Sequence, residues 1–270
     1  MTEPNQIPNQ LPVASGPEKG SLLVHGGGSF DDEFKELFRR LAGGDDAIVA
    51  YVPTAAADDD LDGNYKKKLD RAAVSDLLGV NSVSIVHTRD RQKADSKHFA
   101  EVLEHATGVF IDGGRQWRLV DSYLNTRTQT EIENVLQRGG VVAGSSAGAT
   151  IQGSLLIRGN AVPDDNTKML GDHQEGFGLL KNVVIDQHLV VARRTLDLLD
   201  VLAEYPTVLG IGVDEDTFIW VQQNEFEVLG SSCVIVYDLL SSSDIGPMGP
   251  RLLAGSKYDL GKRKVIRQVV

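Results

Sequence analysis

The stretch Val141-Val142-Ala143-Gly144-Ser145-Ser146-Ala147-Gly148-Ala149 decides how this chain is read. Its apolar start suits a buried strand, and Gly144-Ser145-Ser146-Ala147-Gly148 is a G-x-S-x-G pentad. A strand that ends in this pentad and turns at once into a helix is a nucleophile elbow. The glycines permit the tight turn, which lifts the Ser146 hydroxyl clear of the backbone. The amide of Ala147 then points at the same spot, where the helix N-terminus adds positive partial charge for an oxyanion. A plain glycine-rich connection shares the pattern, so the reading needs a base and an acid elsewhere in the chain.

Upstream of the pentad, short β-rich runs alternate with amphipathic stretches. Strands are predicted at 22–24, 47–52, 82–87 and 108–111, and helices at 31–41, 65–78, 93–105, 116–124 and 128–138. Phe34, Leu37, Phe38 and Leu41 show the helical period. Such alternation implies βαβ units, so the expected fold class is α/β: a single three-layer αβα domain with a mostly parallel sheet. Downstream, 160–178 is loop-like, with a strand predicted at 183–185 and a helix at 194–204. The C-terminal part is strand-rich, with runs at 208–213, 217–221, 225–229 and 233–237 and an alternating end at 262–270 that suits an edge strand. No linker or repeat divides the chain, so 21–270 is expected to be one domain. Residues 1–20 are polar and rich in Pro, Asn and Gln, as in a disordered tail.

Composition narrows the function. The hydrophobic fraction of 41% and charged fraction of 24% are those of an ordinary globule. A formal net charge of -11 would repel phosphates, so no nucleic acid partner is expected. No apolar run is long enough to cross a bilayer, and the start lacks the pattern of a secretory signal. No membrane partner and a cytoplasmic location are therefore expected. Cys233, the single cysteine, sits in an apolar run and reads as a small buried residue. Asp58, Asp60, Asp62 and Gly63 open like an EF-hand loop, but Leu69 stands where the bidentate Glu belongs. An exposed acidic turn is the better reading. No metal and no organic cofactor are expected, since zinc-type clusters and nucleotide fingerprints are missing too.

A serine hydroxyl needs a base, and the base needs a group that fixes its tautomer. Of the six histidines, His98 and His105 fall on a surface helix, His87 ends a strand near the sheet edge, and His173 lies in a polar loop. His25 precedes Gly26-Gly27-Gly28, which imitates an esterase oxyanion motif but reads better as a glycine turn opening the first helix. These glycines could still border the cleft. His188 follows the apolar run 183–185 in Asp186-Gln187-His188, at the strand end where open α/β folds place their sites. For the acid, the run 208–213 ends in Asp214-Glu215-Asp216. Alternation puts Asp214 and Asp216 on one face and Glu215 on the other, and spacing does not choose between them. A glycine pair, Gly113-Gly114, follows the strand at 108–111 and is suited to close backbone approach by a ligand.

Taken together, Asp112-Gly113-Gly114-Arg115-Gln116, the pentad with Ala149, Asp186-Gln187-His188 and the run from Leu209 to Thr217 resemble the cyanophycinase and peptidase E family of serine peptidases. The resemblance spans the chain from about residue 20 onward and implies a sheet related to the class I glutamine amidotransferases. It implies a Ser-His-Glu triad of Ser146, His188 and Glu215, which selects among the three carboxylates. It also implies oxyanion amides from Gly114 and Ala147, and a substrate site at Gly113, Gln116, Gln187 and Arg194. The implied reaction is hydrolysis of an amide next to an aspartyl unit in a small peptide or cyanophycin-like polymer.

Two departures bear on the substrate. Cyanophycinases carry arginine-rich, polar residues just after D-Q-H, whereas this chain has Leu189-Val190-Val191-Ala192-Arg193-Arg194. Arg115 and Trp117 also flank Gln116 where the family more often has a smaller acidic residue and an aliphatic one. The alternatives are therefore an α-aspartyl dipeptidase of peptidase E type, or a catalytically weak relative that binds a peptide or amino acid. Family and base rates add the expectation of a homodimer.

Overall fold

The computed structural model describes residues 13–62, 66–161, 169–240 and 248–269. The first half lays down strands β1 (Ser21–His25), β2 (Val49–Val52), β3 (Val83–Ile85), β4 (Gly108–Ile111) and β5 (Val141–Ser145). Between them run helices α1 (Asp32–Leu41), α2 (Asp58–Asp62), α3 (Arg71–Leu78), α4 (Arg91–Ala94), α5 (Lys97–Glu104), α6 (Gln116–Tyr123) and α7 (Arg127–Gln137). The second half adds α8 (Ala147–Thr150), β6 (Gly153–Leu155), β7 (Leu180–Gln187), α9 (Asp197–Glu204) and β8 (Leu209–Val213). It ends with β9 (Thr217–Gln222), β10 (Glu225–Gly230), β11 (Cys233–Tyr237), β12 (Met248–Leu253), β13 (Lys257–Asp259) and β14 (Lys264–Arg267).

Side-chain alternation along the first strands fixes the layers. In β1, Leu22 and Val24 face the core beneath α5, α6 and α7, while Leu23 joins Phe34, Phe38, Val74 and Leu78 beneath α1 and α3. In β4, Val109 and Ile111 face the first core and Phe110 the second. A strand buried on both faces must sit between helix layers, and the chain forms the expected αβα sandwich.

The strands are shared between two sheets, where the sequence suggested one. A nine-stranded sheet runs β14-β13-β10-β9-β1-β5-β4-β2-β3, and a five-stranded sheet runs β12-β11-β8-β7-β6. The β1-β5-β4-β2-β3 part is parallel, and every strand beyond β1 on the other side is antiparallel. Parallel pairing therefore follows the βαβ half and recurs in β6-β7-β8 of the smaller sheet, where α9 connects β7 to β8, whereas the helix-poor strands from β9 onward pair antiparallel. Strand β14 occupies the predicted edge.

Two predicted helices are broken. The one at 65–78 splits because the Asp70 carboxylate caps the amides of Ala72 and Ala73, starting α3 afresh; Tyr65 lies outside the described residues. The one at 93–105 splits because Ser96 Oγ accepts from Phe99 N and starts α5. The expected disordered tail is corrected too: from Ala14 onward the segment is packed. Ala14 is buried, and Ser15 exchanges two backbone bonds with Lys181 at 3.1 and 2.8 Å. Residues 1–12, Gly63, and the Pro163, Asp164, Asp165 and Asn166 part of the predicted loop lie outside the described residues. Cys233 is buried and free, as read from sequence. No described helix is long and apolar enough to cross a membrane.

Candidate active site

Strands β1, β4 and β5 run in register, with Gly144 beside Val24 and Ile111, so their C-terminal ends come out together. At the end of β5, Ser146 takes φ 53° and ψ -113°. Such a backbone costs a non-glycine residue about 1–3 kcal/mol and persists only where its surroundings fix it. Here Ser146 N donates to His25 O at 3.1 Å, and α8 begins at the next residue. Ala147, first in that helix, has no intrahelical acceptor for its N–H.

In the other sheet, Gln187 of β7 pairs with Val213 of β8, so the residues that follow each strand emerge side by side. His188 follows with φ 54°. Its Nε2 lies 2.9 Å from Ser146 Oγ and its Nδ1 lies 2.6 Å from Glu215 Oε1. The structure thus brings the three predicted residues into one hydrogen-bonded line, half-buried, across the seam between the sheets. The other two carboxylates face elsewhere. Asp214 Oδ1 accepts from Val190 N and Val191 N at 2.8 and 3.2 Å, and Asp214 Oδ2 accepts from Ser232 Oγ at 2.6 Å. Burial works to raise the Asp214 carboxyl, but these bonds outweigh it and hold it below the usual carboxylate range. Asp216 Oδ1 accepts from Ser29 N at 2.7 Å.

The turn that imitates an esterase motif stitches the seam. Gly26 O accepts from His188 N, Gly27 O accepts from Asp216 N, and Gly26 N donates to Thr217 O, at 3.0, 2.8 and 3.0 Å. Gly27, at φ 115°, lies against the His188 ring, leaving no room for a Cβ. His25 is no second base. It packs among Phe30, Phe34 and Phe218, its Nδ1 accepts from Gly27 N at 3.1 Å, and burial lowers its pKa from 6.5 to about 4.

Gly113 and Gly114 follow β4 on the other side of Ser146. Gly113 N is taken by the Asp112 carboxylate at 2.7 Å, and that carboxylate also accepts from Tyr51 OH and from Lys68 Nζ. Gly114, at φ 144°, is seated against the Ala55 carbonyl, where a Cβ would overlap it. Gln116, buried, opens α6. Gln187 is buried as well, with its Oε1 and backbone O accepting from Arg194 Nη1 at 2.7 and 3.1 Å. Arg194, expected to meet the substrate, is therefore bonded to Gln187. Beneath them, Asp186 is fully buried and paired with Arg158 by two bonds of 3.2 and 3.1 Å, and Arg158 reaches Asp197 at 2.6 Å. The sequence offered no signal for Arg158, a lone charge in a loop with φ 53°. A cleft of about 990 Å³ lies at the opposite end of the sheet, by Ser15, Trp220 and Glu225, and has no histidine in its lining.

The model of peptidase family S51 matches residues 22–229. A cyanophycinase from Geminocystis herdmanii is 33% identical over 82% of this chain and 81% of its own length. One from Trichormus variabilis is 31% identical over 82% of this chain and 74% of its own. The crystal structure of a peptidase from an acI-B1 Actinobacterium superposes with a TM-score of 0.69 at 25% identity, covering 90% of this chain and 98% of that one. A putative peptidase E protein from Listeria monocytogenes shares the fold, with a TM-score of 0.55 at 16% identity, over 79% of this chain and 99% of that one.

Proposed function

The chain belongs to peptidase family S51, and from that premise we propose that Ser146, His188 and Glu215 are the nucleophile, base and orienting acid of an aspartyl-peptide hydrolase. Membership makes the chain a serine-type peptidase. The observation that carries the residue assignment is the pair of hydrogen bonds from Ser146 through His188 to Glu215, 2.9 and 2.6 Å long.

With its Nδ1–H donated to Glu215, the neutral imidazole keeps its lone pair on Nε2, facing the hydroxyl. Ser146 Oγ attacks the scissile carbonyl as His188 takes its proton, and the carbonyl electron pair moves onto oxygen. The amides of Gly114 and Ala147 receive that oxyanion, each good donor contributing about 3 kcal/mol. The C–N bond breaks as His188 protonates the departing amine, leaving an acyl-enzyme. Water, deprotonated by the same imidazole, then releases the acid and restores the serine. Because Arg194 occupies Oε1 of Gln187, the amide NH₂ of that side chain is left as a donor. A donor at this place suits an aspartyl carbonyl or carboxylate, and Gln116 would line the same side.

The relatives named cyanophycinase favour an aspartyl polymer as substrate. A second reading, an Asp-X dipeptidase, is favoured by the exposed Val190 and Val191 beside His188, which offer no charge to an arginine-bearing branch. Turnover of Asp-X dipeptides, β-Asp-Arg and cyanophycin, compared side by side, decides between them. Ser146→Ala is expected to abolish hydrolysis with the fold intact, and an organophosphonate is expected to label Ser146 in the parent chain. Hydrolysis that survives Ser146→Ala would overturn Ser146 as the nucleophile, whereas tight peptide binding without labelling or turnover would leave a binding protein instead.

A further inference from the structure

The oxyanion loop rests on a turn that two arginines hold from outside the reacting groups. Ala55 and Ala56 follow β2. Ala55 O accepts from Arg115 N at 2.8 Å and from Arg118 Nη1 at 3.1 Å. Ala56 O accepts from the same Arg118 Nη1 at 2.6 Å and from Arg89 Nη2 at 2.6 Å. Arg89 is in turn paired with Asp58, and the Arg118 guanidinium lies 5.3 Å from the Trp117 ring. Gly114 touches the Ala55 carbonyl so closely that only a glycine fits. The direction of the Gly114 peptide is therefore set by where that carbonyl stands.

The geometry points to Arg118 as a positioning residue: by fixing the Ala55 and Ala56 carbonyls it aims the Gly114 amide at the developing oxyanion. The inference rests on the reading of Ser146 as nucleophile and Gly114 as oxyanion donor. A carbonyl released from its cation swings outward, and the peptide lying on it follows. The donor then misses an oxygen that carries full charge only in the transition state, so the loss falls on kcat and not on KM.

The test uses the full chain, Arg118→Met and Arg118→Lys, on the best of the aspartyl substrates compared above, with active sites counted by organophosphonate labelling. Arg118→Met is expected to lower kcat per labelled site by about 10- to 100-fold. Arg118→Lys, which keeps one donor, should lose less. KM should stay within about twofold, and the pH midpoint of kcat/KM should not move, because His188 and Glu215 are untouched. An Arg118→Met kcat per labelled site equal to the parent's, a loss confined to KM, or a shifted pH midpoint overturns the inference. If the Met variant does not fold, the Lys variant decides on the same terms. Failure to label Ser146 in the parent chain overturns the underlying reading and Arg118 with it, whereas normal labelling with Arg118-indifferent turnover overturns this inference alone.

Discussion

Gly27→Ala tests whether His188 is held where catalysis needs it. A Cβ at Gly27 would lie 2.6 Å from His188 Nδ1 and 2.9 Å from Nε2, and nearer still to the carbon between them. That carbon would lie 2.1 Å away and ordinary contact begins at about 3.5 Å, so the ring must retreat by about 1.4 Å. It cannot do so and keep both bonds, 2.9 Å to Ser146 and 2.6 Å to Glu215. A misplacement of that size costs on the order of 100-fold in rate. The φ of 115° adds strain of about 1–3 kcal/mol for any residue with a Cβ, which lowers stability without unfolding the chain. Gly139→Ala separates the two effects, because Gly139 has φ 88° and a Cβ there meets nothing within 4 Å. The assay is kcat per folded molecule, with thermal unfolding on the same samples. Gly27→Ala should lose about 100-fold in kcat, while Gly139→Ala loses stability and keeps full turnover. More than about a tenth of parental kcat in folded Gly27→Ala would refute the placement of the imidazole.

Three other outcomes are expected. Glu215→Gln should lower kcat by roughly two to four orders of magnitude, less than Ser146→Ala, because it disturbs tautomer and charge and leaves the nucleophile in place; steady-state kinetics checks this. Arg158→Met should destabilise by about 3–5 kcal/mol and lower the unfolding midpoint by roughly 10 °C, since it strands the fully buried Asp186 carboxylate. Adding Asp186→Asn should recover part of that loss, and an equal or greater loss in the double variant contradicts the account. His25 takes up its proton near pH 6.5 when unfolded but only near about 4 when folded, so it contributes stability that is complete above 6.5 and is lost as pH falls towards 4. The contribution is on the order of 3 kcal/mol. Denaturant unfolding across that window should show a shallower pH dependence in His25→Gln than in the parent.

The sequence carried the parallel half of the fold well because its strands are buried on both faces and its helices show one clean apolar stripe. It carried helix boundaries poorly. Asp70 and Ser96 are residue types that cap helices, yet the apolar period runs straight through them and hides the break. Strands β6, β12 and β13 went unread, being short or, like β12, interrupted by Gly249 and Pro250 and exposed for much of their length. At the site, Ser146 and His188 were legible because each follows an apolar strand in a polar or glycine-rich turn. Arg158 and Arg118 were not, since a lone arginine gives no sign of the carboxylate or carbonyl it will meet.

Asp214, Glu215 and Asp216 show why spacing alone could not name the acid. Strict alternation holds only while a strand continues, and this trio lies where the chain leaves one sheet for the other. Val213 still pairs with Gln187 in the smaller sheet, and Phe218 already pairs with His25 in the larger. The crossing turns through Asp216 at φ 53°, with its N–H on Gly27 O. Each carboxylate is thereby sent to a different place: the turn after His188, the His188 ring, and the amide of Ser29. Since Ser146, the proposed nucleophile, follows a strand of the larger sheet and the proposed base and acid follow strands of the smaller, a slide of one sheet on the other would part Ser146 from His188. Among the described residues opposing that slide are Gly26 and Gly27, whose backbone carbonyls accept from His188 N and Asp216 N. The glycine turn that looks like an esterase oxyanion motif works here as the clamp between the sheets, which is why the deepest consequence of adding one methyl group is expected at Gly27.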